Sequence, residues 1–150
     1  MTKQEKYEQV LPQIKAVIEG ENDTVANMAN VAAILHGTFG FWWTGFYLVK
    51  ENELVLAPFQ GPVACTRIQK GRGVCGTALE QKKTIIVENV HKFAGHIACS
   101  SESNSEIVVP IMKKEEVKGV IDIDSREFGT FDENDKLYLE RVAGLLAISL

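Results

Sequence analysis

The sequence predicts an α+β domain, an antiparallel sheet covered by helices from the N- and C-terminal ends of the chain. Two observations point there. Apolar residues recur at helical spacing near both ends, and the middle holds β-branched and aromatic runs broken by turn residues. Strands grouped centrally with helices outside them give this architecture. Length adds a third: 150 residues is one domain's worth, and at that size roughly 70% of the unfolded surface can be buried. With no repeat, linker or low-complexity tract, residues 1–150 are expected to form a single domain.

Each element has its own signal. Tyr7, Val10, Leu11, Ile14, Val17 and Ile18 form one helical stripe, although Pro12 lacks the backbone N–H and should kink or restart the helix. After Gly20 and the cap candidates Asn22, Asp23 and Thr24, the run Val25, Met28, Ala29, Ala32, Leu35 reads as a second helix stopping near Gly37. Residues 43–50 and 54–59 read as a hairpin turning at Glu51-Asn52. A short helix over residues 73–81 and a buried strand over 84–87 follow. Residues 107–111 and 117–124 form a second hairpin through Lys113-Lys114-Glu115, and a terminal helix begins near Asp132 or Asn134, with Leu137, Leu139, Val142, Leu145, Leu146 and Ile148 as its apolar positions.

Composition narrows the function. Hydrophobic content of 45%, charged content of 24% and a formal net charge of -4 are ordinary for a globular protein and leave no basic face for nucleic acid. The start, Met1-Thr2-Lys3-Gln4-Glu5-Lys6, is polar and lacks the apolar core of a signal peptide, and no apolar run nears the ~18 residues of a membrane span. A cytoplasmic protein is the expectation.

In the strand Val117-Lys118-Gly119-Val120-Ile121-Asp122-Ile123-Asp124, alternation places Asp122 and Asp124 on one face and Ile121 and Ile123 on the other. If the hairpin is centred on Lys114, Glu106 pairs with Asp122 and three carboxylates meet. Directly opposed like charges weaken a sheet by up to ~1 kcal/mol. A solvated polar face is the plain alternative; a shared proton or a cation would explain the cluster otherwise. Crowding and burial hold protons on carboxyl groups, so one of the three can serve as a general acid while the remaining charge receives a substrate ammonium. A metal ranks below a substrate, because no EF-hand loop or metal-binding His pair accompanies the acids.

Three cysteines, Cys65, Cys75 and Cys99, are an odd number without an export signal, which favours reactive thiols over a disulfide framework. Cys75 lies at a helix start, where the dipole and free amides lower a thiol pKa; a small buried hydrophobe is the equal alternative. Cys65 is unranked by its surroundings. Cys99 sits in a long polar loop, residues 91–105, that leads directly into Glu106, with His96 nearby either to lower its pKa or to cap the loop. CxxC spacing for zinc is absent, and Gly71-Arg72-Gly73-Val74-Cys75-Gly76 lacks the lysine of a phosphate loop.

The stretches Trp43-Thr44-Gly45-Phe46-Tyr47, Gly61-Pro62-Val63-Ala64-Cys65, Gly71-Arg72-Gly73-Val74-Cys75-Gly76, His96-Ile97-Ala98-Cys99, Ser103-Asn104-Ser105-Glu106-Ile107-Val108-Val109-Pro110 and Gly119-Val120-Ile121-Asp122-Ile123-Asp124-Ser125 resemble the free methionine-R-sulfoxide reductases, stand-alone GAF-domain enzymes. The likeness runs from about Phe39 to the C-terminus. It implies a GAF-like fold and thiol-dependent reduction of free L-methionine-R-sulfoxide, with no cofactor. By the same resemblance Cys99 matches the catalytic cysteine, Cys65 the resolving one and Cys75 an auxiliary thiol. Glu106, Asp122 and Asp124 match the substrate-site carboxylates, and Trp43 and Tyr47 match aromatics around the substrate's methyl end. Ser100 departs from a position where the family commonly has an acidic residue, and Trp42 is core or pocket rim. Members of the family are reduced by thioredoxin and are often homodimers. The alternative is a non-catalytic GAF sensor of a small ligand or of redox state; the sequence, which ends at Leu150 without an output domain, counts against it.

Overall fold

The computed structural model describes residues 1–96 and 102–150. Two helices come first, α1 (Lys3–Ile18) and α2 (Thr24–Phe39), followed by a hairpin of β1 (Trp43–Lys50) and β2 (Glu53–Gln60). The short strand β3 (Arg67–Gln69), α3 (Gly73–Gln81), β4 (Ile85–Val87) and a 3-10 turn at Val90–Lys92 connect it to a second hairpin, β5 (Ser105–Lys113) and β6 (Glu116–Ser125). Helix α4 (Glu133–Ala147) closes the chain. All six strands lie in one antiparallel sheet, ordered β3-β2-β1-β6-β5-β4. This is the expected α+β architecture.

Side-chain alternation gives the sheet two apolar faces. On one, Phe46, Ile107, Val109, Ile121 and Ile123 meet Met28, Val31 and Leu35 of α2 and Leu139, Val142 and Leu146 of α4, with α1 packed outside through Tyr7, Val10 and Ile14. On the other, Tyr47, Leu54, Val108 and Val120 meet Val74, Ala78 and Leu79 of α3. The second face is where the chemistry collects. No helix among the described residues is long and apolar enough to cross a membrane.

Both hairpins turn through two residues of positive φ, Glu51 (52°) with Asn52 (69°) and Lys114 (52°) with Glu115 (65°). Such mirror-image turns match the twist of the strands they join. The second turn corrects the expected register. Glu106 stands opposite Asp124, and Asp122 faces Val108, because the turn holds Lys114 and Glu115 together and an irregularity between Ile111 and Met112 shifts the ladder. The slip is two residues, so every side chain keeps its face.

The helices depart from expectation in their phase. Pro12 lies inside an unbroken α1, with Pro12 and Glu8 both exposed, so the carbonyl the proline leaves without a donor can turn to water. Helix α2 runs past Gly37 to a left-handed cap at Gly40, and Val25 is exposed while Asn27 is buried and donates to the Glu21 carbonyl at 3.0 Å. Leu137 and Ile148 are likewise on the outer side of the C-terminal segment.

A polar tie joins the two ends of the chain. Asp135, fully buried, accepts from the Tyr7 hydroxyl at 2.6 Å, from Lys3 Nζ at 2.7 Å and from the Asp132 amide at 2.9 Å. Burial alone would lower the Lys3 pKa, but its bonds to Asp135 and Asp132 outweigh that and raise it. The charge at Asp135 is thereby matched by donors on every side, as a buried carboxylate requires.

Candidate functional site

Two cross-strand rows build the site on the α3 side of the sheet. Glu106, Asp124 and Trp43 stand side by side on β5, β6 and β1; in the next row are Val108, Asp122 and Gly45. Gly45 is there because nothing else fits. A Cβ at that position would lie 2.3 Å from Phe59 Cβ and 2.7 Å from the Trp43 ring. Gly45 pairs with Asp122, whose Oδ1 is buried without a hydrogen-bond partner among the described residues. Gly45→Ala is expected to cost about 1–3 kcal/mol in stability by overpacking the aromatic stack. Urea unfolding measures it; an unchanged midpoint would show that Phe59 moves aside freely.

The three acids differ in detail and agree in direction. Glu106 and Asp122 are buried, and Asp124, partly exposed, accepts from the Ser103 hydroxyl at 3.1 Å. Burial raises the pKa of all three; the charge of Asp122 pushes Glu106 and Asp124 further, while hydrogen bonds from Glu106 and Cys75 partly offset the rise at Asp122. Three adjacent carboxyl groups, two of them buried, oppose one another's ionisation, so the wall holds protons more tightly than ordinary carboxylates and can donate one. Cys75 Sγ, Glu106 and Asp122 present donor atoms within 4.8 Å of one another, a set that a divalent cation would also accept.

Aromatic rings form the adjoining wall. Trp43 stacks on Phe59 with centroids 5.1 Å apart and lies 6.1 Å from Tyr47. Their polar atoms hold the segment 61–66: Trp43 Nε1 donates to the Pro62 carbonyl at 3.0 Å and the Tyr47 hydroxyl to the Cys65 carbonyl at 2.9 Å. Burial, then the charge of Asp122, pushes the Tyr47 pKa far up, so the hydroxyl stays a donor. Trp42 also lines the cleft, with the Arg126 guanidinium 4.0 Å above its ring. The cleft encloses about 580 Å³, its open mouth included.

The cysteines separate by environment. Cys75 is a free thiol, 3% exposed, 4.0 Å from Glu106. Its pKa is pushed well up, first by burial and then by Asp122 and Glu106, which corrects the reading of a thiol acidified by the helix start and agrees with the alternative of a small buried side chain. Desolvation and two carboxyl neighbours outweigh the dipole. Cys65 is disulfide-bonded. Cys99, the expected nucleophile, lies outside the described residues, as does Ser100. His96 lines the cleft with its pKa lowered, first by burial and then by His91, so it lends little positive charge to a thiol.

With this geometry in hand, comparison with known proteins is specific. The family model described as GAF domain matches residues 22–150. The chain belongs to the GAF domain family. It is 60% identical over 146 residues to GAF domain-containing protein A of Dictyostelium discoideum, covering 97% of this chain and 92% of that one. It is 44% identical over 147 residues to the free methionine-R-sulfoxide reductase of Escherichia coli K12, covering 97% and 89%. An X-ray structure of free methionine-R-sulfoxide reductase from Neisseria meningitidis in complex with its substrate superposes with a TM-score of 0.97 at 52% identity, over 99% of this chain and 90% of that one.

In this GAF domain, Trp43, Tyr47, Cys75, Glu106, Asp122 and Asp124 line one cleft. Cys65 sits beside it, its carbonyl bound by Tyr47. Ser103, Arg72 and the close packing at Gly45 were not singled out from sequence. Ser103 offered a signal, a hydroxyl two residues outside the strand that carries Glu106; Arg72 offered none, since one arginine in a glycine-rich turn resembles any solvated charge.

Proposed function

We propose that residues 1–150 form a single catalytic domain that reduces free L-methionine-R-sulfoxide to L-methionine. The observation that supports this most is the buried carboxylate wall facing Trp43 and Tyr47 across one cleft, in a chain 52% identical to a reductase crystallised with its substrate. The Cys99 thiolate attacks the sulfoxide sulfur while a protonated carboxyl group of the wall, or a water it holds, protonates the departing oxygen. Oxygen passes to Cys99 as a sulfenic acid and methionine leaves, its sulfur reduced by two electrons. Cys65 then condenses with Cys99, releasing water and forming the disulfide, with Cys75 as an auxiliary thiol. Thioredoxin returns the two electrons by thiol–disulfide exchange. The separate roles of the other two cysteines are supported by their states, Cys65 disulfide-bonded and Cys75 a free thiol. A cytoplasmic setting and a homodimer belong to the same proposal.

Methionine release from the separate R and S sulfoxides, with thioredoxin, its reductase and NADPH as the recycling system, tests it. Turnover is expected with the R form and not with the S form. No turnover with either would leave a non-catalytic GAF sensor as the better reading.

A further inference from the structure

Between β2 and β3 the chain runs through residues 61–66 outside any strand, and this stretch carries Cys65. Its side chains give it little hold on the core, for Gly61, Val63 and Thr66 are exposed and Pro62, Ala64 and Cys65 only half-buried. Its carbonyls are what fasten it. Trp43 Nε1 donates to Pro62 at 3.0 Å, the Tyr47 hydroxyl to Cys65 at 2.9 Å, and the Leu56 amide to Thr66 at 2.9 Å. The first two donors sit on buried side chains of β1, a strand paired with β2 on one side and β6 on the other. Gly61 completes the seat. Its φ is 131°, and a Cβ there would lie 2.8 Å from Trp43 Cδ1 and 2.9 Å from the Trp42 carbonyl oxygen. A side chain at that position would lift the stretch off the indole.

The rings of Trp43 and Tyr47 line the cleft, whereas their polar atoms are spent on the backbone around Cys65. A wall of the cleft needs only the rings. The tyrosine bond reaches the carbonyl of Cys65 itself, so the hydroxyl helps to set where that residue's Cα and sulfur stand. Attack on the sulfoxide uses Cys99 and the carboxylate wall and does not pass through these bonds. Resolution does depend on them. The Cys65 sulfur must reach the Cys99 sulfenic acid, forming the S–S bond as the S–O bond breaks and the oxygen leaves as water with the Cys65 proton. A thiol held within reach reacts at an effective concentration far above that of a thiol free in solution.

We propose that the Tyr47 hydroxyl and the Trp43 indole N–H are positioning groups for the resolving step, holding Cys65 where the sulfenic acid forms. The proposal rests on the reductase reading above and adds a second role to two side chains of the cleft. The rings that border the substrate thereby also place the cysteine that acts once methionine has formed. Attack and resolution share a support on β1.

The test uses Tyr47→Phe, which keeps the ring and removes the donor, and Gly61→Ala, which disturbs the seat and leaves both rings in the chain. After one turnover without reductant, and with dimedone present, the sulfenic acid partitions between a dimedone adduct at Cys99 and the disulfide with Cys65. This ratio is independent of the rate of attack. In both variants the share of adduct over disulfide is expected to rise about tenfold, in line with the loss of one hydrogen bond to a part-buried carbonyl. An unchanged ratio in Tyr47→Phe overturns the proposal, and Gly61→Ala decides it in the same way where Tyr47→Phe does not fold. Equilibration against a dithiol redox buffer is a second measurement and needs no sulfoxide. A tenfold loss of effective concentration makes the Cys65 disulfide about 30 mV easier to reduce in Tyr47→Phe, and equal potentials in variant and wild type overturn the positioning role. Should the wild type release no methionine from the sulfoxide, the reductase reading fails separately, and the potentials still decide whether Tyr47 places Cys65.

Discussion

Cys99→Ser enzyme is expected to release no methionine above background from free methionine-R-sulfoxide, because a serine hydroxyl has neither the nucleophilicity of a thiolate nor a route to the sulfenic acid. Cys65→Ser should behave differently. The attack survives and the resolution does not, so about one equivalent of methionine per enzyme is released before turnover stalls, provided that small thiols are absent. Rapid-quench assays of the first turnover distinguish these outcomes. Alkylation of the denatured, unreduced wild-type protein after one turnover should label a single cysteine, Cys75. Full activity in Cys99→Ser would remove that residue from the mechanism, and labelling at Cys65 would overturn the pairing.

Glu106→Gln should separate activity from stability. As one of the three candidate proton donors in the wall, Glu106 is expected, if it is the donor, to contribute about 10²-fold or more to kcat/KM. Its effect on stability has the opposite sign. In the unfolded chain Glu106 titrates near the usual value of about 4, whereas in the fold burial and the neighbouring aspartates raise it well above that. Between those two values the folded state holds the extra proton. Unfolding free energy therefore falls as pH rises through this window, and the stability present at the acid end is lost once Glu106 ionises. Glutamine cannot ionise. The difference in melting temperature between Glu106→Gln and wild type should grow from pH 5 to pH 8 in favour of the variant. A difference that shrinks with pH would mean that the wall is ionised and stabilised by something else.

Much of this fold was legible in the sequence, and the misses share a cause. Glu51-Asn52 and Lys113-Lys114-Glu115 announced both hairpins, because turn chemistry is local. The pairing of Glu106 with Asp124 instead of Asp122 depended on an irregularity at Ile111 and Met112 that no local pattern marks. The carboxylate wall survived that slip because two residues is a full strand period. Spacing found the helices but not their rotation: Val25 and Leu137 look outward, since a stripe of apolar residues does not say which edge meets the sheet. The three-residue strand Arg67–Gln69 was too short to carry a pattern. Of the two readings left open for Cys75, the buried side chain held and the acidified thiol did not. Its helix position argued for a low pKa, and the burial that reverses the sign comes from β5 and β6, distant in sequence. Resemblance, not residue chemistry, separated the roles of the three thiols.

The strand order has a consequence for how the protein is made. Each half of the sheet is contiguous in the chain, β1 to β3 within residues 43–69 and β4 to β6 within residues 85–125, and the halves meet only where β1 pairs with β6. Trp43 and Tyr47 belong to the first half, and Glu106, Asp122 and Asp124 to the second. The cleft therefore straddles the longest-range pairing in the sheet, the kind of contact that forms late and slowly. During synthesis Cys65 and Cys75 leave the ribosome well before Ser125 does. For that interval they are thiols on an incomplete chain, with the carboxylate wall not yet in place.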